Sequence, residues 1–229
     1  VVADSLDYVA SKLEAATAKG TALNAAVAEL LAAIVKEHGA VIFNGNGYSS
    51  EWHAEAERRG LPNLKTTVDA LPALQRPEVI ELFSKYKVLS PRELKSRYEI
   101  YFEQYCKSIH VEAKLVLSMA RTMIVPGVLR YLGEVAETMT ALKAAGAVAD
   151  GALLARVSSL GVKLEEKIDA LEKAYSHHHF ETIEKEAAHL CHGVLPAMKE
   201  VRDVADQLEA LVARDRWGLP IYEDMLFIK

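Results

Sequence analysis

The chain has 229 residues, 51% of them hydrophobic and 26% charged, with a formal net charge of −5. A chain of that length buries roughly 70% of its unfolded surface, which is enough for one or two cored domains. Twelve Gly and seven Pro exclude collagen-like and turn-dense all-β sequence, two Cys exclude a disulfide framework, and the mild acidity argues against counterion-driven DNA binding. No apolar run approaches the ~18–20 residues of a membrane span, and no secretory leader opens the chain. A cytoplasmic protein with no nucleic-acid and no membrane partner is expected. The chain opens Val1-Val2, without Met, directly in an amphipathic pattern, and so reads as a piece of a longer protein.

In chain order, Leu6, Val9, Leu13 and Ala16 share one helical face, as do Leu23, Val27, Leu30, Leu31 and Ile34. The two stripes predict a helical hairpin, with Gly20 closing the first helix and Thr21 capping the second. Ala40 to Phe43 breaks the period and predicts a short buried strand or extended segment near 40–44. The run Asn44-Gly45-Asn46-Gly47 that follows supplies residues tolerant of positive φ for a sharp turn. Ser49 or Ser50 should cap a short helix that Gly60 ends. Short helical pieces follow, with Thr66 or Thr67 as a cap between Pro62 and Pro72. Pro77 opens a helix to about Tyr86. Ser90-Pro91-Arg92-Glu93 is a capping box with proline at the first helical position.

From that cap the helical pattern runs to about Ala145, with a bend expected at Pro126-Gly127. Gly146 stops it, and Asp150 can cap the next helix. That helix carries Leu153, Val157, Leu160, Leu164, Ile168 and Leu171. The last long helix carries Ile183, Ala187, Leu190, Val194, Met198, Val201, Ala205, Leu208 and Val212. With Leu132, Val135, Met139 and Leu142, these stripes predict three antiparallel rods. A faint echo sets Gly127-Val128-Leu129 against Gly193-Val194-Leu195. The fold class is therefore mostly all-α. It comprises an N-terminal helical subdomain over 1–90, a long antiparallel three-helix bundle over 91–215 and an apolar docking tail over 216–229.

Candidate chemistry is sparse. His189 and His192 fall three apart on one helix, next to Cys191 and downstream of His177-His178-His179, so the three could ligate zinc. Ordinary helix residues beside a solvated loop are the simpler reading, because a zinc site needs converging ligands and supporting hydrogen bonds. Asn44 to Ser50 suggests a phosphate cradle but lacks the Gly-Lys-Ser/Thr ending of a P-loop, so a structural turn is favoured. His53 with Glu57, and Glu55 with Arg59, are helix neighbours that predict a solvated, salt-bridged face. Tyr98, Tyr101 and Tyr105 beside Phe102 make an aromatic stripe suited to packing. No catalytic residue, cofactor site or metal site can be assembled from these pieces.

The stretch Val41–Thr67 (VIFNGNGYSSEWHAEAERRGLPNLKTT) resembles the C-terminal region of type III glutamine synthetases. So do Ser96–Lys114 (SRYEIYFEQYCKSIHVEAK) and the ending Leu219–Lys229 (LPIYEDMLFIK). The resemblance implies a parent cytosolic ligase that condenses glutamate with ammonia, using ATP and Mg or Mn through a γ-glutamyl phosphate. It implies that the metal ligands and substrate arginines lie upstream of Val1, and that this chain is a structural, assembly-related part, inactive alone. Its partners would be the rest of the parent chain and neighbouring subunits of a homo-oligomer, a double-ringed dodecamer. A stand-alone helical adaptor for partner helices is the alternative reading, and a metal-sensing helical module a third.

Overall fold

The computed structural model describes residues 1–177 and 179–226. Among the described residues the secondary structure is entirely helical, with no strand. The chain divides into two compact units, residues 1–98 and 99–229.

In the first unit α1 (Val2–Ala18) and α2 (Leu23–His38) form the expected hairpin. Gly20 lies at φ +91°, as a helix stop of this type requires. Thr21 does not cap α2. The N-cap is Ala22, with no side-chain bond. The segment near 40–44, expected to be a short buried strand or an extended segment, is no strand: a 3-10 turn covers Gly39–Val41 and the backbone is extended at Ile42. Val41 and Ile42 are more than half exposed, so neither is core. α3 (Ser50–Arg58) is capped by Ser49, whose side chain accepts from Trp52 N. α4 (Thr67–Ala70) is capped by Thr66, a 3-10 turn covers Leu71–Gln75, and α5 (Pro77–Lys85) opens on its proline. Tyr86 and Lys85 at the end of α5 bond Asp4 of α1, and Tyr86 also bonds Asp7.

α6 (Pro91–Met119) starts at the expected capping box. Ser90 N donates to Glu93 Oε2 at 2.8 Å, and Glu93 N donates to Ser90 Oγ at 3.3 Å. These bonds from Ser90 lower the Glu93 pKa. In the second unit the buried stripe of α6 is Phe102, Cys106, Ile109 and Ala113. The ring that sequence periodicity placed among tyrosines is thus represented in the core by Phe102, while Tyr101 is exposed.

The long helix is interrupted, but not by a simple proline bend. A π-helical turn over Ala120–Ile124 precedes α7 (Val125–Ala144), which has Pro126 in its first turn. The last rod repeats the device. α9 (Ile183–His189) passes into a π-helical turn over Leu190–Val194, and α10 (Leu195–Glu209) begins with Pro196. Proline has no N–H and its ring clashes with the preceding turn, so a wider turn just before it relieves both problems. The structural correspondence therefore pairs Pro126 with Pro196, not Gly127 with Gly193.

α8 (Ala152–Tyr175) lies between these rods. Asp150 Oδ1 accepts from Ala152 N at 3.0 Å, so the expected cap forms from one residue outside the N-cap position. Val157, Leu164, Ile168 and Leu171 are buried against Leu190, Val194, Val201 and Leu208 of the last rod and Val128 of α7 in one core. Ion pairs fix the antiparallel register. Arg121 pairs with Glu172 at 2.6 Å, and Lys167 with Glu200 at 2.8 Å.

The chain then returns across α7. Arg216 pairs with Glu134 at 2.6 Å, and Trp217 is buried. A Cβ on Gly127 would sit 2.5 Å from the Arg216 carbonyl oxygen, so this crossing needs glycine for close approach. α11 (Tyr222–Leu226) follows. The end of the expected docking tail, Phe227 to Lys229, lies outside the described residues. One helical stretch, Pro91–Ala144, does contain a window of mean hydropathy 1.3 that passes a span test of length and composition. The window tolerates charged residues and is not an uninterrupted apolar run. The same test is passed by core helices of soluble proteins; here 22% of the window is buried within the protein.

Candidate functional site

Two places concentrate side-chain chemistry. The first is the loop between α2 and α3 in residues 1–98. Arg59 Nη1 donates to the carbonyl oxygens of Ala40 at 3.0 Å and Ile42 at 2.8 Å, tying the end of α3 to the start of the loop. Glu55 holds that arginine at 2.5 Å and accepts two bonds from Arg58, at 2.7 and 2.6 Å. These hydrogen bonds, first from Arg58 and then from Arg59, pull the Glu55 carboxyl down to about 2. The Phe43 ring packs on Trp52 with centroids 4.6 Å apart, and Arg59 lies over Trp52 at 5.8 Å. A Cβ on Gly45 would sit 2.6 Å from the Phe43 ring, so this glycine serves close packing. Neither Gly45 nor Gly47 has positive φ, contrary to expectation. The turn is made by Asn46 instead: Tyr48 N donates to its Oδ1 at 3.0 Å, and Ser49 Oγ to its carbonyl oxygen at 2.8 Å.

The helix face expected to pair His53 with Glu57 does otherwise. His53 Nδ1 lies 3.1 Å from Asn63 Oδ1, joining α3 to the loop after it. Glu55 and Arg59 pair as the spacing predicts, but with side chains only 19% and 26% exposed, so the face is half-buried rather than solvated.

The second place is the junction of α8 with α9. His189, a predicted ligand, places Nε2 2.9 Å from the Ala174 carbonyl oxygen. As only the protonated ring nitrogen donates to a carbonyl, that atom carries the hydrogen. Its ring packs beside Phe180 and His177. Cys191 is half-buried and His192 exposed, both inside the π-helical turn that follows His189. That turn removes the α-helical three-residue relation on which the pairing of His189 and His192 rests. His178 lies outside the described residues. Among the described residues, no group of three His, Cys, Asp or Glu side chains is placed to hold a metal ion.

Beside this junction is a cluster that sequence reading missed. His110 of α6 lies 2.7 Å through Nε2 from Glu186 of α9, and 3.2 Å through Nδ1 from the Tyr175 hydroxyl of α8. Cys106, one turn earlier, is buried, and its thiol is pushed up to about 11 by burial and by the Glu186 charge. The thiol is a poor nucleophile in that state. The three polar partners are 65 and 76 residues apart in the chain, so no local spacing announces them.

The profile of the glutamine synthetase C-terminal domain matches residues 26–143. The chain belongs to that family. The chain is 34% identical over 216 residues to a glutamine synthetase of Butyrivibrio fibrisolvens, with 91% of this chain and 30% of the relative covered. It is 31% identical to a type-3 glutamine synthetase of Dictyostelium discoideum, over 100% of this chain and 32% of the relative. A glutamine synthetase of Bacteroides fragilis is 24% identical, with the same coverage of each chain. The chain thus spans about a third of the length of these relatives. Its pinned loop and the His110 end of the cluster fall inside the matched range, whereas His189, Cys191 and His192 fall beyond it.

Proposed function

We propose that this chain is the helical, assembly-supporting C-terminal part of a type-3 glutamine synthetase and supplies no reacting group to the ligase. The observation that carries this reading is its similarity, over its whole length, to a type-3 enzyme of which it occupies 32%. The parent reaction would condense glutamate with ammonia at the expense of ATP, with Mg or Mn, in the cytoplasm. Phosphoryl transfer to glutamate needs carboxylates that hold metals and a cationic clamp on the transferring group. Several carboxylates of this chain are engaged in structural bonds. Glu55 tethers arginines of its own helix, Glu172 and Glu200 pair across the rods, and Glu186 holds His110. The partners in this reading are the rest of the parent chain and neighbouring subunits of a homo-oligomer, a dodecamer in the family.

Two measurements, one on the isolated chain and one on a full-length type-3 enzyme carrying this region, test the proposal. The isolated chain should show no ATP-dependent γ-glutamyl transfer. Deleting the region should shift sedimentation from the ring assembly to smaller species. Turnover by the isolated chain at ordinary synthetase rates, or a deletion that leaves assembly intact, overturns it.

A further inference from the structure

We infer that the groove bounded by the α6–α7 junction, α10 and the returning chain is the seat of the chain's own Phe227 and Ile228, with Lys229 placed toward Asp206 and Glu209. The seat lies wholly within residues 99–229 and is independent of the parent reaction.

The groove has a volume of about 380 Å³, at the small end of the roughly 300–1,000 Å³ typical of ligand clefts. α6 contributes Val116 and Met119 to its lining, α10 contributes Val201 and Ala205, and the returning chain contributes Trp217 and Met225. Val201 and Trp217 are buried, whereas Met119 and Met225 are 36% and 60% exposed, so the apolar lining continues outward to water. The charged residues of the lining, Arg202, Asp206 and Glu209, all belong to α10. Arg202 Nε lies 3.4 Å from Asp206 Oδ2, with both side chains more than half exposed. An exposed pair at that distance contributes little, and the second carboxylate, Glu209, leaves the lining with an excess of negative charge. The occupant that fits is therefore apolar with a cationic end.

The position of the groove identifies that occupant. Met225 is part of the lining, and the described residues stop one position later, at Leu226. Phe227, Ile228 and Lys229 follow directly, two large apolar side chains and then a cation. One residue advances a chain by at most about 3.6 Å, so the Cα of Phe227 is within about 7 Å of that of Met225. A tether this short gives Phe227 an effective concentration of millimolar or more at the groove of its own chain, an advantage that a segment of a neighbouring copy lacks. The segment is also fixed just before it. Asp224 accepts from Arg214 at 2.5 Å and from Ile221 N at 3.2 Å, so little further freedom is lost when the next residues settle. The flexible thioethers of Met119 and Met225 suit the reception of an aromatic ring. Seated there, Phe227 and Ile228 strap the returning chain to α6 and α10 and close the core over Trp217.

The test uses the whole 229-residue chain with its five methionine methyl groups and its Phe and Ile side chains isotopically labelled. Nuclear Overhauser contacts are expected from the Met119 methyl group to the Phe227 ring and the Ile228 methyls. Phe227→Ala should remove the first of these and shift the Met119 and Met225 signals. The Met139 signal, from a side chain beside Gly151 and away from the groove, should stay in place and report an intact fold. Lys229→Glu should move the Met119 signal in the same direction by a smaller amount. A sample mixed from labelled and unlabelled copies separates one chain from two. Contacts within a copy support the seat, and contacts found only between copies overturn it in favour of a neighbouring chain. A Met119 methyl group that contacts neither Phe227 nor Ile228 in the wild-type chain also overturns it, whatever the variants do.

Discussion

Glu55 shows how a single side chain sets the geometry of a loop it does not belong to. It faces two arginines of its own helix and orients Arg59 so that the guanidinium reaches the carbonyls of Ala40 and Ile42. Its carboxyl is held near 2, against an ordinary 4.5, chiefly by the bond from Arg58. A depressed carboxyl contributes stability that is complete above the unfolded value and fades as pH falls toward the folded one. The tether should therefore hold at pH 5 and loosen progressively between about 4.5 and 2. Trp52, beside both Phe43 and Arg59, reports it. In a Trp217→Phe background, Trp52 fluorescence should change over that window, and Glu55→Gln should move the change out of it. A signal in the Gln variant that still follows the wild-type curve would show that Glu55 does not govern the loop. The same scale explains one misreading of the sequence. Gly45 looked like a positive-φ turn residue, but its role is set by the Phe43 ring above it, a contact that no local rule encodes.

At the scale of elements, the helices and most of their ends were legible. Gly60 and Gly146 end helices in the left-handed conformation, Ser49 and the Ser90–Glu93 box start them, and most of the stripes of α8 and α10 is buried where the period places it, although Leu153 at the start of α8 is exposed. The π-helical turns were not legible. Proline announces an interruption, but whether the helix kinks or widens depends on what packs against it, which is a tertiary fact. Here the returning chain at Arg216 to Gly218 crosses the junction of α6 and α7 at that point. Gly218 lies against the Met123 backbone, and Gly127 against Arg216. The His110–Glu186–Tyr175 cluster escaped for the same reason, because its members meet only once three helices are assembled. The crossing is testable. Gly127→Ala puts a methyl 2.5 Å from a backbone oxygen that cannot swing away as a side chain would. The overpacking should cost about 1–3 kcal/mol in urea unfolding. Trp217 emission should shift to the red as the crossing lifts from α7. Gly133→Ala, where a Cβ meets nothing within 4 Å, should stabilise the same helix by up to about 1 kcal/mol. Equal effects of the two substitutions would contradict the close approach.

At the scale of the whole molecule, the burial is uneven. In residues 1–98 the only buried apolar side chains are Ala26, Ala56 and Leu94. In residues 99–229 the core runs from Phe102 through Ile109, Ile124 and Val128 to Leu164, Ile168, Leu171, Leu190 and Leu208. Burial of one large aliphatic side chain is worth roughly 1.5–3 kcal/mol, whereas alanine contributes far less. The first unit therefore has little hydrophobic stabilisation of its own. Leu6, Leu23, Leu31 and Val35 of its hairpin remain exposed, as surface that an assembly can cover. The isolated chain should consequently lose its two units separately, since a single cooperative transition requires comparable local stabilities. Each unit holds one tryptophan, Trp52 in the first and Trp217 in the second. In Trp217→Phe, urea should abolish the Trp52 signal at low concentration. In Trp52→Phe, the Trp217 signal should persist to a clearly higher midpoint. Amide exchange should follow the same order, fast in α1 and α2 and slow in α8 and α10. Coincident midpoints for the two tryptophans would mean that the small first core draws stability from the second. If the proposed assembly covers the exposed hairpin, the Trp52 transition in the full-length enzyme should move up toward that of Trp217, because that contact adds the burial the first unit lacks.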